Sequence, residues 1–121
     1  AALIAMWERR MELDGYLPAA DAFRNTDPAF AERAVVGPHP YPRIGALAER
    51  GKARIRDFYR DLDDRLMQSP FVAGDAFSAA DITAIVTVDF ASAAVGLAAP
   101  PQLRALWRWH GVVSSRPSAS A

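Results

Sequence analysis

Three features of the 121-residue sequence predict an all-α fold. Apolar residues recur by threes and fours over residues 43–67. Ser78 and Asp81 form a helix-start signature ahead of a long apolar run. The proline cluster Gly37-Pro38-His39-Pro40-Tyr41-Pro42 divides these segments from an earlier amphipathic one. The expected architecture is a bundle of four main helices, five or six if short turns are counted, around a central buried helix at about 78–95.

The first helix is expected from residue 3 to about 23, with Leu3, Trp7 and Met11 on one stripe and Met6, Leu13 and Leu17 beside it. Glu8, Arg9 and Glu12 form its wet side. Gly15 and Pro18 interrupt the second half. A proline inside a helix removes a donor and crowds the preceding turn, so a kink or break near 14–18 is predicted. No capping residue precedes this helix, and the sequence does not begin with Met. We therefore expect the first helix to be truncated, with its opening turns missing or covered by something outside the sequence.

Residues 24–42 read as a surface crossover with a short helical turn near 28–36. Residues 43–67 form the longest periodic run, with Ile44, Leu47, Ala48, Gly51, Ile55, Phe58, Leu62 and Leu66 facing inward. Opposite them, Arg60 with Asp64 and Asp61 with Arg65 are spaced for i, i+4 pairing. Asp57 and Asp63 are read in the same way, as partners for nearby arginines.

The central helix starts at a reciprocal box: the Ser78 hydroxyl toward the Asp81 N–H, the Asp81 carboxylate toward the Ser78 N–H. Phe77 and Ile82 are placed for a hydrophobic staple. The run Ile82-Thr83-Ala84-Ile85-Val86-Thr87-Val88 also suits a strand, but it continues without a turn residue to Gly96, too far for an apolar strand. With no clean polar face, this helix is expected to be surrounded by other elements. Asp89 on it must find a donor, either an arginine or the indole N–H of Trp107 or Trp109, as a tie between helices or as part of a pocket. A last helix is expected from Pro101 to about Ser115, closed by Arg116-Pro117, with a frayed tail at 118–121.

Composition narrows the chemistry. With 51% hydrophobic and 23% charged residues, and 14 basic against 14 acidic side chains, nothing global draws the chain to nucleic acid or an anionic membrane. There is no cysteine, so disulfides, thiolate metal sites and a cysteine nucleophile are excluded within these residues. Asp81 and Asp89 argue against a membrane span in the apolar run. No signal peptide is evident, and a cytoplasmic location is the default expectation. His39 and His110 stand apart from other ligands, so no metal is expected. The Ser78 hydroxyl is assigned to the cap, and no phosphate-cradling glycine loop is present.

The stretch Gly74-Asp75-Ala76-Phe77-Ser78-Ala79-Ala80-Asp81-Ile82 resembles the capping box and staple of the C-terminal helical domain of cytosolic glutathione transferases. There the pattern is Gly, three residues, Ser or Thr, any residue, Ala, Asp. The loop Phe71-Val72-Ala73-Gly74, the pairs Trp109-His110 and Arg116-Pro117, and Met6-Trp7 resemble the flanking parts of that domain. The resemblance implies a single helical domain over 1–121, with a thioredoxin-like domain outside these residues that binds glutathione and carries the group stabilising its thiolate. It implies no catalytic residue here and an inactive fragment when isolated. By position in the family, Trp7, Arg10, Met11, Asp14 and Tyr16 are the implied substrate-binding residues, facing a small-molecule electrophile or a partner subunit in a homodimer. Domains of this type also serve as non-enzymatic assembly modules in translation factors and tRNA synthetase complexes.

Overall fold

The computed structural model describes residues 2–116. Residue 1, Pro117 of the expected helix stop and the tail 118–121 lie outside the described residues. Four helical rods form, as the sequence predicts, and no strand longer than an isolated bridge occurs among the described residues. The first rod comprises α1 (Ala2–Met11), a π-helical turn (Glu12–Tyr16) and α2 (Leu17–Arg24). It does not break before Pro18. The Leu17 N–H bonds the Glu12 carbonyl five residues back, so one widened turn absorbs the donor that Pro18 lacks.

Asn25 ends α2 and begins the crossover. Its side-chain amide donates to the Asp21 carbonyl at 2.8 Å, and its oxygen accepts the Ile44 N–H at 2.9 Å. A 3-10 turn at Pro28–Phe30 follows, and the Arg24 guanidinium fastens the crossover by donating to the carbonyls of Ala34 and Arg33. The long helix α3 (Gly45–Gln68) packs against α2 on one side and against α5 (Arg104–Ser114) on another. Gly51 makes the first of these contacts close, and Gly15 brings the π-helical turn equally near to α3. A Cβ on Gly51 would lie 2.6 Å from the Pro18 carbonyl oxygen, and one on Gly15 would lie 2.6 Å from the Phe58 ring.

On α3 the polar face departs from the expected pairing. Arg60 pairs with Asp57, and Arg65 donates instead to the Val72 carbonyl at 2.8 Å. Asp63 is buried rather than solvated and accepts the Leu106 N–H at 2.9 Å. It thereby caps α5, whose own preceding residue, Leu103, supplies no side-chain cap.

The central rod is α4 (Ala79–Phe90), extended by a second π-helical turn (Ala91–Val95) and stopped by Gly96 at φ 75°. The Gly96 and Leu97 N–H groups both reach the Ala91 carbonyl. This rod is flanked rather than surrounded: Ala84, Ile85 and Val88 are buried, while Ile82 is 46% and Val86 50% exposed. The expected staple is therefore open on the Ile82 side, and Phe77 packs edge-on against Phe71.

Ser78 and Asp81 stand in the capping-box arrangement, but its halves are unequal. The Asp81 Oδ2 accepts the Ser78 N–H at 3.0 Å. The shielded Ser78 hydroxyl meets no partner at hydrogen-bonding geometry, and the Asp81 N–H bonds the Ser78 carbonyl instead. Ser78→Ala should therefore cost less than about 0.5 kcal/mol, below the usual 0.5–2 kcal/mol for a working cap. Chemical denaturation of the variant checks this, and a loss above 1 kcal/mol would show that the hydroxyl is engaged in solution.

Asp81 is fully buried and also accepts the Val72 N–H at 2.9 Å and the Trp109 indole N–H at 2.8 Å. Of the donors expected for Asp89, the Trp109 indole thus serves Asp81, and the Trp107 indole bonds the Pro100 carbonyl. Asp89 is exposed and pairs with His110 Nε2 at 2.8 Å. The core around these groups is built from Ile55, Tyr59, Leu62, Leu66, Val72, Val88, Leu106, Trp109 and Val113.

Candidate functional site

The first rod carries all five residues implied as substrate-binding, and the structure sorts them into three settings. Trp7, Arg10 and Asp14 form a row along the rod's open side. The Arg10 guanidinium lies 4.7 Å from the Trp7 ring centroid, and Arg65 from α3 lies 4.6 Å from it. The indole is therefore contacted by two cations, an arrangement worth about 0.5–1 kcal/mol per contact at an exposed site. Arg10 Nε stands 3.7 Å from Asp14 Oδ2, which fixes the outer arginine.

Asp14 also opens onto a cleft of about 220 Å³ shared with Arg54, Asp57, Phe58 and Asp61 of α3. Arg54 donates to the Leu13 carbonyl at 3.1 Å, bridging α3 to the π-helical turn. Tyr16 faces elsewhere, 5.8 Å from the Phe90 ring, and Phe90 continues edge-on to Phe23 and Phe23 to Phe30. Met11 is only 5% exposed and belongs to the core. As a core side chain it supports the row from behind instead of lining it. Its substrate-binding assignment came from its position in the family, and at Met11 the stripe of Leu3, Trp7 and Met11 turns inward.

Arg65 was not legible as part of this row, because nothing local links it to Trp7. Tyr59 is a second group that sequence left unassigned. Its hydroxyl donates to the Leu97 carbonyl at 2.6 Å, and burial, followed by the negative charge of Asp89, pushes its pKa up to about 12. In the unfolded chain a tyrosine titrates near 10. The folded state therefore holds its proton more tightly, and stability from this group is complete below pH 10 and lost as pH rises toward 12. Tyr59→Phe should cost about 1 kcal/mol at neutral pH and flatten that alkaline loss. Urea titrations of both chains between pH 9 and 11.5 check this; parallel slopes would rule out the tyrosine as the source.

Residues 45–111 match the family model described as the C-terminal domain of glutathione S-transferase. Over 96% of its length the chain is 34% identical to glutathione S-transferase 2 of Saccharomyces cerevisiae, of which it covers 47%. Among solved structures, it is similar to Gtt2 from S. cerevisiae with a TM-score of 0.85 and 28% identity, covering 98% of this chain and 54% of that one. It is also similar to a class Gtt2 glutathione S-transferase of Vibrio parahaemolyticus, with a TM-score of 0.80, 30% identity and coverage of 99% and 52%. The chain thus spans about half the length of the relatives it matches.

Proposed function

Because this chain belongs to the glutathione S-transferase C-terminal domain family, we propose that it is the helical half of a cytoplasmic, homodimeric glutathione transferase. In this reading it walls the pocket for a small, largely apolar electrophile and contributes to subunit contact. Glutathione is held, and its thiol activated, by residues outside these 121, in a thioredoxin-like domain. Relatives of about twice the length, named as glutathione S-transferases, support this division.

The observation that carries the reading is the first rod's open side. There the row Trp7, Arg10 and Asp14 stands on a helix whose Leu3, Ile4, Met6, Leu13 and Leu17 are uncovered. A planar indole held in place by two guanidinium groups offers an aromatic or conjugated electrophile a rigid apolar edge. Tyr16, backed by Phe90, offers a second. In the reaction the thiolate sulfur forms a bond to the electrophilic carbon, and either a leaving group departs with its electron pair or a proton completes an addition. This chain's residues would orient the acceptor and exclude water during that step. No helix among the described residues is long and apolar enough to cross a membrane. The balanced charge supplies no attraction to nucleic acid, and neither partner enters this reading.

The intact protein should conjugate glutathione to chlorodinitrobenzene. Tyr16→Ala should raise KM for the electrophile about three- to tenfold, the value of one aromatic contact, and leave KM for glutathione unchanged. The isolated 121 residues should give no turnover above the uncatalysed rate. Turnover by the isolated chain would place the thiol-activating group here and overturn the division. An intact protein that folds but neither binds nor conjugates glutathione would mark the chain as an assembly module of the same fold.

A further inference from the structure

We propose that Phe90 is a positioning residue for the acceptor: by fixing the ring of Tyr16, it makes the pocket favour aromatic electrophiles over compact aliphatic ones. The inference rests on the transferase reading and names the acceptor class that this site prefers. Tyr16 is exposed at the end of the first π-helical turn, and its hydroxyl makes no hydrogen bond among the described residues. What holds its ring is Phe90, 5.8 Å away with the two planes 39° apart.

Phe90 is itself anchored. Its ring meets Phe23 edge-on at 5.5 Å, and Phe23 meets Phe30 at 5.0 Å. The Arg24 guanidinium lies 4.4 Å from the Phe30 centroid and donates to the Ala34 and Arg33 carbonyls. Tyr16 is thus the open end of an aromatic row whose other end is fastened to the crossover. A half-buried ring with two aromatic neighbours, as Phe90 is, keeps to one rotamer.

Both rods also widen beside this pair. The first π-helical turn ends at Tyr16, and the second begins at Ala91, directly after Phe90. A widened turn re-aims the side chains next to it, and such turns are frequent at functional sites. Gly15 seats the first turn against the Phe58 ring, where a Cβ would stand 2.6 Å away, so the Tyr16 backbone is fixed and its side-chain torsions alone are left to set. In a helix an aromatic side chain has two common χ1 wells, and Phe90 selects between them for Tyr16. An aromatic acceptor packs on the Tyr16 ring only at a defined offset and tilt, whereas a compact aliphatic one makes contacts without direction. With Tyr16 preset, the aromatic acceptor loses no affinity to ordering it.

Steady-state conjugation of glutathione by the intact protein tests it, with benzyl isothiocyanate and allyl isothiocyanate as acceptors. The two present the same electrophilic carbon on an aromatic and an aliphatic body. The parent should prefer the benzyl compound in kcat/KM. Phe90→Leu, which keeps apolar bulk without the ring, should lower kcat/KM for the benzyl compound about three- to tenfold by raising its KM, and leave the allyl compound unchanged. Phe90→Tyr, which keeps the ring, should retain the parent's preference. In a Tyr16→Leu background, Phe90→Leu should change the ratio no further. A parent without preference, an equal loss for both acceptors, a preference that Phe90→Leu leaves unchanged or Phe90→Tyr abolishes, or a full effect in the Tyr16→Leu background overturns the proposal and leaves the transferase reading standing. A parent that conjugates glutathione to neither acceptor overturns both.

Discussion

Asp81→Ala should destabilise the chain by about 3–5 kcal/mol, a large share of the roughly 5–15 kcal/mol that holds a domain together. The carboxylate is fully buried and accepts three N–H groups, from Val72, Ser78 and the Trp109 indole. Alanine leaves all three donors without a partner in a site closed to water, at about 1–3 kcal/mol each before relaxation. The three donors come from the loop before α4, from the start of α4 and from α5, so their loss loosens three segments at once. Trp109→Phe removes one donor and keeps most of the ring, and should cost about 1–2 kcal/mol. Denaturation midpoints of both variants and of Ser78→Ala rank the terms. An Asp81→Ala loss no larger than that of Ser78→Ala would show that the buried network is not what fixes α4.

The second large effect is expected where the backbone comes closest. Gly51→Ala should cost about 1–3 kcal/mol, although alanine is the better helix former by about 1 kcal/mol. The new Cβ would stand 2.6 Å from the Pro18 carbonyl oxygen and 3.2 Å from the Ala22 Cβ. A carbonyl in the rod cannot rotate aside as a side chain can, so α2 and α3 must separate. Gly111→Ala is the matched control: it lies on α5 with nothing within 4 Å of the added carbon, and should stabilise by about 0.5–1 kcal/mol. Thermal unfolding of the pair separates steric closure from helix propensity. A Gly51→Ala chain that melts with or above the parent would mean that α2 and α3 are further apart in solution.

Local signals carried most of the fold. The periodicity of α3, the Asp81 half of the box and the Gly96 stop each depend on residues within a few positions of one another, and each is where the pattern put it. The misreadings share one cause. Whether Asp63, Asp81 or Asp89 is buried depends on the phase of one helix against another, which no single-helix pattern contains. Asp63 looks like a member of a wet face until α5 begins above it. An arginine or the indole of Trp107 or Trp109 is the donor that the sequence offers Asp89, and His110, on the same helix as both indoles, serves it instead. Pro18 marked an irregularity, but only packing decides between a break and a widened turn. That Trp7, Arg10 and Asp14 share one helix was legible. The clasp by Arg65 and the burial of Met11 were not.

The π-helical turn at Glu12–Tyr16 makes the length of the first rod, as much as its composition, a determinant of the site. Such a turn holds one residue more than an α-helical turn needs. Losing one residue between Glu12 and Asp14 would tighten the rod and rotate everything before it by about 100°. Trp7 would swing off Arg65, and Met11 would leave the core. Among homologous chains, a one-residue gap at this point therefore re-aims a whole helix face while every side chain on it keeps its identity.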